Sequence, residues 1–208
     1  KSQLGGGSPI LRGFEASRVL IMVDGIRLNN AIFRAGHLQN ILRIDENILD
    51  RVEVVFGPGS SIYGSDALGG TMNFFTKDPV LQTGKKTLFK VGAYGRYSTV
   101  NEEKTGHIDF NIGAKKIGFL GSFTFSDFGD MKQGKNVSPF LKGVWDKNFY
   151  VERVNGRDTA IANSDPNKQV PTAYHQYDGL AKLLFQQSKN ISHMLSFRYS
   201  NTSDVPRY

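Results

Sequence analysis

The chain has 208 residues, 39% of them apolar and 22% charged, which excludes a mostly disordered polypeptide. It has no cysteine, so a disulfide framework, a thiolate metal site and a cysteine nucleophile are excluded. The net charge of +7 is uneven: residues 1–84 carry eight Lys/Arg against eight Asp/Glu, and residues 85–208 supply the whole excess. Those lysines are scattered along alternating segments rather than gathered on a helix or groove. That argues against a nucleic-acid partner and suits anionic lipid headgroups or sugars.

Fifteen Phe and eight Tyr against one Trp tilt the chain toward strands, because aromatics suit a pleated, half-buried surface. The 23 glycines imply many tight corners. No run of about 18 apolar residues is present, so no transmembrane helix is expected; a barrel strand needs only about ten alternating residues and escapes such a test. The opening Lys1-Ser2-Gln3-Leu4-Gly5-Gly6-Gly7 has no apolar core and is no secretory signal, so the chain reads as a mature fragment.

In chain order, Val19–Val23 and Val52–Phe56 are short continuous apolar runs, expected as buried strands of a small mixed domain. Between them, residues 38–49 predict one or two short helices, with Asp45 or Asn47 capping a turn that leads into Val52. Gly57-Pro58-Gly59-Ser60-Ser61 follows a strand as a phosphate loop would. However, Gly64 is followed by Ser65-Asp66 with no lysine, Pro58 lacks an N–H, and the third glycine of a dinucleotide fingerprint is missing. Gly57, Gly59, Gly64, Gly69 and Gly70 are better read as structural corners closed to residues with a Cβ.

Composition shifts near residues 79–86, and the period becomes two. Phe89, Val91, Ala93 and Tyr97 oppose Lys90, Tyr94, Arg96 and Ser98; Ile108, Phe110 and Ile112 oppose His107, Asp109 and Asn111. Ile117, Phe119, Phe123 and Phe125 oppose Ser122, Thr124 and Ser126; Ala181, Leu183 and Phe185 oppose Lys182 and Gln186. Leu195, Phe197 and Tyr199 oppose Ser196, Arg198 and Ser200. A soluble sandwich alternates with its apolar face inward, and a membrane barrel alternates with that face in lipid. Alternation alone is common to both. The links near residues 114–116 and 188–190 are short, and the link near 129–174 is long and reads as structureless. That asymmetry is the expected one for an outer-membrane barrel and is uncommon in a compact soluble domain.

His107, His175 and His193 do not cluster with acids at metal spacing, and His107 is expected to line a lumen. No Ser-His-Asp arrangement or nucleophile elbow is visible, since Gly59-Ser60-Ser61 lacks the flanking glycine. No enzyme is expected. Arg12, Arg18, Asp24, Arg51 and Glu53 recur at strand ends, and surface charge is their plain explanation.

Leu11-Arg12-Gly13-Phe14, Arg18-Val19-Leu20-Ile21-Met22-Val23-Asp24-Gly25, Asp50-Arg51-Val52-Glu53-Val54-Val55 and Gly57-Pro58-Gly59-Ser60-Ser61-Ile62-Tyr63-Gly64 through Gly69-Gly70-Thr71-Met72-Asn73 follow in an order that resembles the plug domain of TonB-dependent outer-membrane receptors. The resemblance is specific over about the first eighty residues and rests on pattern thereafter. It implies an α+β plug, a small mixed sheet with short helices, over residues 1–80. Residues 85–208 would be the first five or so antiparallel strands of a transmembrane β-barrel of about 22 strands, with an extracellular loop near 129–174 and the barrel incomplete. It implies that Arg12, Arg18, Asp24, Arg51 and Glu53 face charges on the inner barrel wall. Asn73-Phe74-Phe75-Thr76-Lys77 would lead toward that wall.

Val23-Asp24-Gly25-Ile26-Arg27 followed by Gly36-His37-Leu38 keeps the order of the haem-uptake branch, where a plug-loop histidine ligates haem iron. The resemblance thus implies TonB-dependent active transport of a scarce iron-containing ligand, haem or a haem protein first, at the bacterial outer membrane. The TonB–ExbB–ExbD complex supplies the energy, and lipopolysaccharide surrounds the barrel. No cofactor is held permanently, and haem at His37 would be cargo. A siderophore–iron receptor is the next reading, then a vitamin or oligosaccharide receptor. A soluble β-rich adhesin or carbohydrate-binding module is the alternative from another class; it would turn Phe89, Phe110, Phe119, Phe123 and Leu183 into a dry core.

Overall fold

The computed structural model describes residues 9–14, 18–28, 41–64, 67–82, 84, 86–134, 139–141, 143–144 and 146–204. Two sheets and a hairpin account for the strands among them.

The first sheet comprises β1 (Val19–Val23), β2 (Ile26–Arg27), β3 (Leu49–Phe56) and β4 (Gly70–Thr76), in the order β2-β1-β4-β3. β1 pairs parallel with β4, from Val19 opposite Gly70 to Val23 opposite Phe74. β2 and β3 add antiparallel at the two edges. A parallel central pair is covered on both faces, which is why Val-Leu-Ile-Met-Val carries no alternation. Ile21, Val23, Ile44 and Phe74 form its buried cluster, with Leu28, Ile41, Leu49 and Met72 packed around them.

β3 differs from the expectation of a buried strand. It is an edge strand, and Val52, Val54, Val55 and Phe56 are exposed. The helical interval contains two 3-10 turns, Ile41–Arg43 and Glu46–Ile48, and residues 38–40 lie outside the described residues. Asp45 caps the second turn, accepting from the Asn47 N–H at 3.0 Å. A single helical turn, α1 (Ser60–Tyr63), follows β3.

The second sheet is antiparallel, in the order β11-β10-β7-β6-β5. Its strands are β5 (Leu88–Ser98), β6 (Glu103–Gly113), β7 (Ile117–Phe128), β10 (Tyr174–Gln186) and β11 (Ser192–Thr202). At 11 to 13 residues each, they match the roughly 9–11 residues of a tilted bilayer-spanning strand. Registers run without a break, from Phe89 opposite Ile112 to Leu183 opposite Leu195.

Burial is inverted relative to a soluble sandwich. Phe89 is 65% exposed, and Val91, Ile108, Ile112, Ile117, Phe123, Leu183, Leu195 and Phe197 are also exposed. On the opposite face Thr105, His107, Asn111, Thr124, Ser126, Gln176 and Lys182 are buried. Phe110 and Phe119 are half-buried on the outer face, with ring centroids 5.7 Å apart. The arrangement expected of a soluble adhesin is therefore not the one formed.

Short turns join β6 to β7 and β10 to β11, closed by the Ala114 N–H donating to the Ile117 carbonyl at 2.8 Å and the Gln187 N–H donating to the Ile191 carbonyl at 3.0 Å. The β5–β6 turn and the long link lie at the other end. That link is not structureless, as its length suggested. It contains the hairpin β8 (Phe149–Val154) and β9 (Arg157–Ala162), turned at Asn155-Gly156, both at positive φ.

Candidate functional site

The candidate site is the seam where the first sheet meets the polar face of the second. It has three parts, each built by a different stretch of the N-terminal unit.

The first part is the capped turn. Asp45 Oδ1 accepts from Asn47, which leaves Oδ2 to accept from the Thr124 hydroxyl of β7 at 2.6 Å. Thr124 Oγ1 also lies 2.7 Å from His107 Nδ1, and His107 Nε2 lies 3.1 Å from Asp109 Oδ2. Lys77, just after β4, approaches that same Asp109 oxygen at 3.6 Å. The Tyr94 hydroxyl donates to Asn47 Oδ1, and the Tyr94 ring sits against His107 at 5.4 Å. Arg96 bridges Glu46 at 3.2 Å and Glu103 of the wall. Below these groups Ile48 packs on Leu120 and Leu180, an apolar plug beneath a polar rim. A cleft of about 310 Å³ opens beside the turn, with Asp45, Glu46, Glu103 and Asp178 around a single arginine, Arg96.

The second part is centred on Lys182. This lysine of β10 is 3% exposed. Its ammonium lies 2.7 Å from Asp78 Oδ1, 3.3 Å from Asp24 Oδ2 and 3.4 Å from the Thr76 carbonyl oxygen. Asp24 sits at positive φ in the β1–β2 turn and is fixed by Thr76, whose N–H donates at 2.8 Å and hydroxyl at 2.6 Å. The ammonium thus meets three oxygens drawn from the turn, the end of β4 and the segment after it.

The third part is that segment itself. The Val80 N–H donates to Asn111 Oδ1 at 2.8 Å, and Asn111 Nδ2 donates to the Val80 carbonyl at 3.1 Å. The Gln82 N–H donates to the Ala114 carbonyl at 3.1 Å. Gly113 makes room for this approach, since a Cβ there would collide with the Val80 carbonyl oxygen.

Of the five charged residues expected to face the wall, Asp24 reaches it, through Lys182. Arg12 lies over the Phe56 ring at 5.0 Å, and Arg18 is exposed. Arg51 lies over the Phe75 ring at 3.9 Å and pairs with Glu53 at 2.8 Å. The hydrogen bond that Arg51 donates to the Glu53 carboxylate raises the Arg51 pKa above its ordinary value. His37 lies outside the described residues. Among the glycines, Gly57 and Gly64 have positive φ, and a Cβ at Gly69 or Gly70 would collide with Phe14 or with the Val55 carbonyl and Leu11. Gly59 has ordinary φ, and a Cβ there would lie close to Thr71 and Tyr63 without colliding. Thr124, Tyr94, Arg96, Asn111 and Lys182 were not singled out as contacts; the signal available was their place on the polar face of each strand.

Among the described residues no group of three or more His, Asp or Glu is placed to hold a metal ion. The arrangement offers paired charges and hydrogen bonds that can be made and broken.

Comparisons with known proteins agree with this geometry. The family model described as the TonB-dependent receptor plug domain matches residues 1–71. The hemin receptor of Yersinia enterocolitica is 32% identical over 158 residues, 69% of this chain and 22% of that protein. The vitamin B12 transporter BtuB of Vibrio vulnificus (strain CMCP6) is 44% identical over 79 residues, 36% of this chain and 12% of that protein. The solved copper transporter OprC superposes with a TM-score of 0.67 at 16% identity, covering 95% of this chain and 26% of that one. The chain thus spans less than a quarter of the length of these curated relatives. With the plug sheet at its N-terminus and antiparallel wall strands wrapped on it, the chain belongs to the TonB-dependent receptor family.

Proposed function

We propose that this chain is part of a TonB-dependent transporter that carries a scarce iron-containing ligand across the bacterial outer membrane. Residues 1–80 act as the plug and residues 85–208 as the first wall strands, with the 129–174 link on the outside. The observation that carries the reading is the inverted wall: apolar side chains outside, polar side chains inside, and a plug tied to the polar face. Such a wall suits lipid without and a hydrated seam within. The polar ties are individually modest when wet, so the plug can be held and still shift. Energy would come from the TonB–ExbB–ExbD complex, and lipopolysaccharide would surround the outer leaflet. The protein would break no bond of its cargo and hold no permanent cofactor.

Haem or a haem protein is the favoured cargo. Gly36-His37-Leu38 supports it, as does similarity to the hemin receptor over most of the chain. A neutral imidazole at His37 would supply one axial bond to the iron. The test is a haem titration of the full-length protein followed by Soret absorbance. The expected result is a saturable Soret shift, weakened by roughly tenfold or more in His37→Ala, since losing about 1.4 kcal/mol is tenfold in affinity. No shift in the unaltered protein removes haem as cargo and moves a siderophore–iron complex to first place.

A further inference from the structure

Three lysines that look scattered along the chain are gathered by the fold at one place. β7 and β10 are neighbours in the second sheet, so the β6–β7 turn and the β10–β11 turn stand side by side at one end of it. The Gln186 N–H donates to the Lys116 carbonyl at 2.7 Å and ties the two turns together. A hollow of about 420 Å³ lies between them, lined by Lys115, Lys116 and Lys189 with Gln186, Gln187 and Ser188. The Gln186 side chain donates to the Ser188 carbonyl at 2.6 Å and to the Ile191 carbonyl at 3.3 Å, which fixes the turn that carries Lys189. All three lysines are exposed.

Two observations say what this hollow meets. The first is charge. No Asp or Glu lies between Asp109 and Asp127 or between Asp178 and Asp204, so both turns and the strand stretches that flank them carry only positive charge. Glu102, Glu103, Asp127 and Asp130 stand at the other end of the sheet. The second is what adjoins the turns. Ile117 and Phe185, opposite each other in register, and Leu195 beside them are exposed on the outer face at this end. A basic rim set directly on an apolar band fits a membrane boundary: the band meets acyl chains, and the long lysine stems carry their ammonium groups to the headgroup phosphate. A soluble anion would use the rim and gain nothing from the band.

We infer that the paired turns form a binding site for an anionic phospholipid of the inner leaflet. Its phosphodiester sits among Lys115, Lys116 and Lys189, and its acyl chains run along Ile117, Phe185 and Leu195. The bound lipid anchors this end of the wall at the level of the inner headgroups. The inference rests on the transporter reading above, which puts the short turns on the inner side of the membrane, and deepens it. It is independent of which cargo is carried.

The test adds dioleoyl-phosphatidylglycerol, or dioleoyl-phosphatidylcholine with the same chains, to the full-length protein in non-ionic detergent and counts retained lipid by native mass spectrometry. Phosphatidylglycerol should be preferred by roughly tenfold or more, since each basic side chain near an anionic surface contributes about fivefold. The triple variant Lys115→Gln/Lys116→Gln/Lys189→Gln should abolish that preference. The triple variant Lys104→Gln/Arg153→Gln/Arg157→Gln removes the same charge from the opposite end of the sheet and its hairpin, and should keep it. Equal loss in both triple variants means that net charge selects the lipid, and overturns the site; so does an unaltered protein with no preference. Inorganic phosphate that displaces the lipid as readily as added phosphatidylglycerol does makes the hollow a free-anion site and overturns the lipid assignment. If the turn variant does not assemble, Lys189→Gln decides, and an undiminished preference there overturns the site. Lys189→Cys separates the two levels of the argument. A membrane-impermeant maleimide should label it only after the outer membrane of intact cells is opened. Labelling of intact cells above that of the unaltered protein refutes the transporter orientation, whereas protection without a lipid preference removes the lipid site alone.

Discussion

The plug sheet and the wall sheet use the same residue types in opposite ways. In the plug, Val19 and Ile21 are fully buried between neighbours, and charges gather at the strand ends. In the wall, Phe89, Phe123 and Phe197 are turned outward, and Asn111, Thr124 and Lys182 are buried. The first sheet makes its own dry interior, whereas the second turns its apolar face away from the rest of the chain. Under the transporter reading that face needs no protein cover, because hydrocarbon would meet it while the plug meets the inner one. The two are joined by the polar contacts of the seam and by Ile48 packed on Leu120 and Leu180.

The largest expected effect tests the plug side of this contrast. Ile21→Ala deletes buried apolar volume in a sheet covered on both faces. It should cost about 2–5 kcal/mol, read as lost hydrogen-exchange protection of β1 and β4 in the full-length protein. Phe123→Ala removes more atoms from the wall yet should cost clearly less, because lipid replaces the lost contacts. Equal losses at the two sites would mean that the wall's outer face packs against protein.

A charge should reverse that ranking in favour of the wall. Phe123 lies midway along β7, at the level expected for the bilayer centre. Phe123→Arg should destabilise the folded barrel by about 2–4 kcal/mol, measured by urea-dependent folding into lipid vesicles. The same change at exposed Ile26 of the plug should be nearly silent. A silent Phe123→Arg would place β7 in water and revive the soluble alternative.

Much of this was legible in the sequence, for a physical reason. A period of two depends only on the local pleat, so the faces of β5, β6, β7, β10 and β11 could be read residue by residue. Asp45 could be read as a cap because its partner, Asn47, is two residues away. Its second partner, Thr124, is 79 residues away, and nothing local announces it. Lys182 is the sharpest case. Placed on a polar face, it looked like any lumen-facing lysine. Its role depends on Asp78, 104 residues earlier, and on a plug turn brought in by tertiary structure. β3 failed for the converse reason: an apolar run gives no sign of whether it will be central or at an edge, and topology put it at the edge. The β8–β9 hairpin was hidden by the length of its link, although Asn155-Gly156 is a strong turn signal.

The smallest expected effect lies at the end of the wall opposite its short turns. The β5–β6 turn and the long link are tied by Glu102 and Lys132, 2.7 Å apart and both well exposed. The hydrogen bond and charge of Lys132 hold the Glu102 carboxyl below the ordinary carboxylate range, and Glu102 raises the Lys132 pKa in return. A carboxyl with a lowered folded pKa contributes stability that is present above its unfolded pKa. That contribution is lost as pH falls through the lowered value. A lysine with a raised folded pKa contributes below its unfolded value and loses that only as pH rises past the raised one. The tie should therefore hold through neutral pH and slacken in acid below the usual range for glutamate. Because both groups are exposed, salt should weaken it as well. Glu102→Gln should leave the fold intact, since the Lys132 N–H still donates to the Val100 carbonyl at 3.0 Å. Its expected signature is hydrogen exchange of residues 99–102 and 130–133 that no longer changes on acidification, at low salt. A wild-type protein whose exchange at these residues is already insensitive to acid and salt would show that this end of the wall is held by its backbone bonds, with the charges adding nothing measurable.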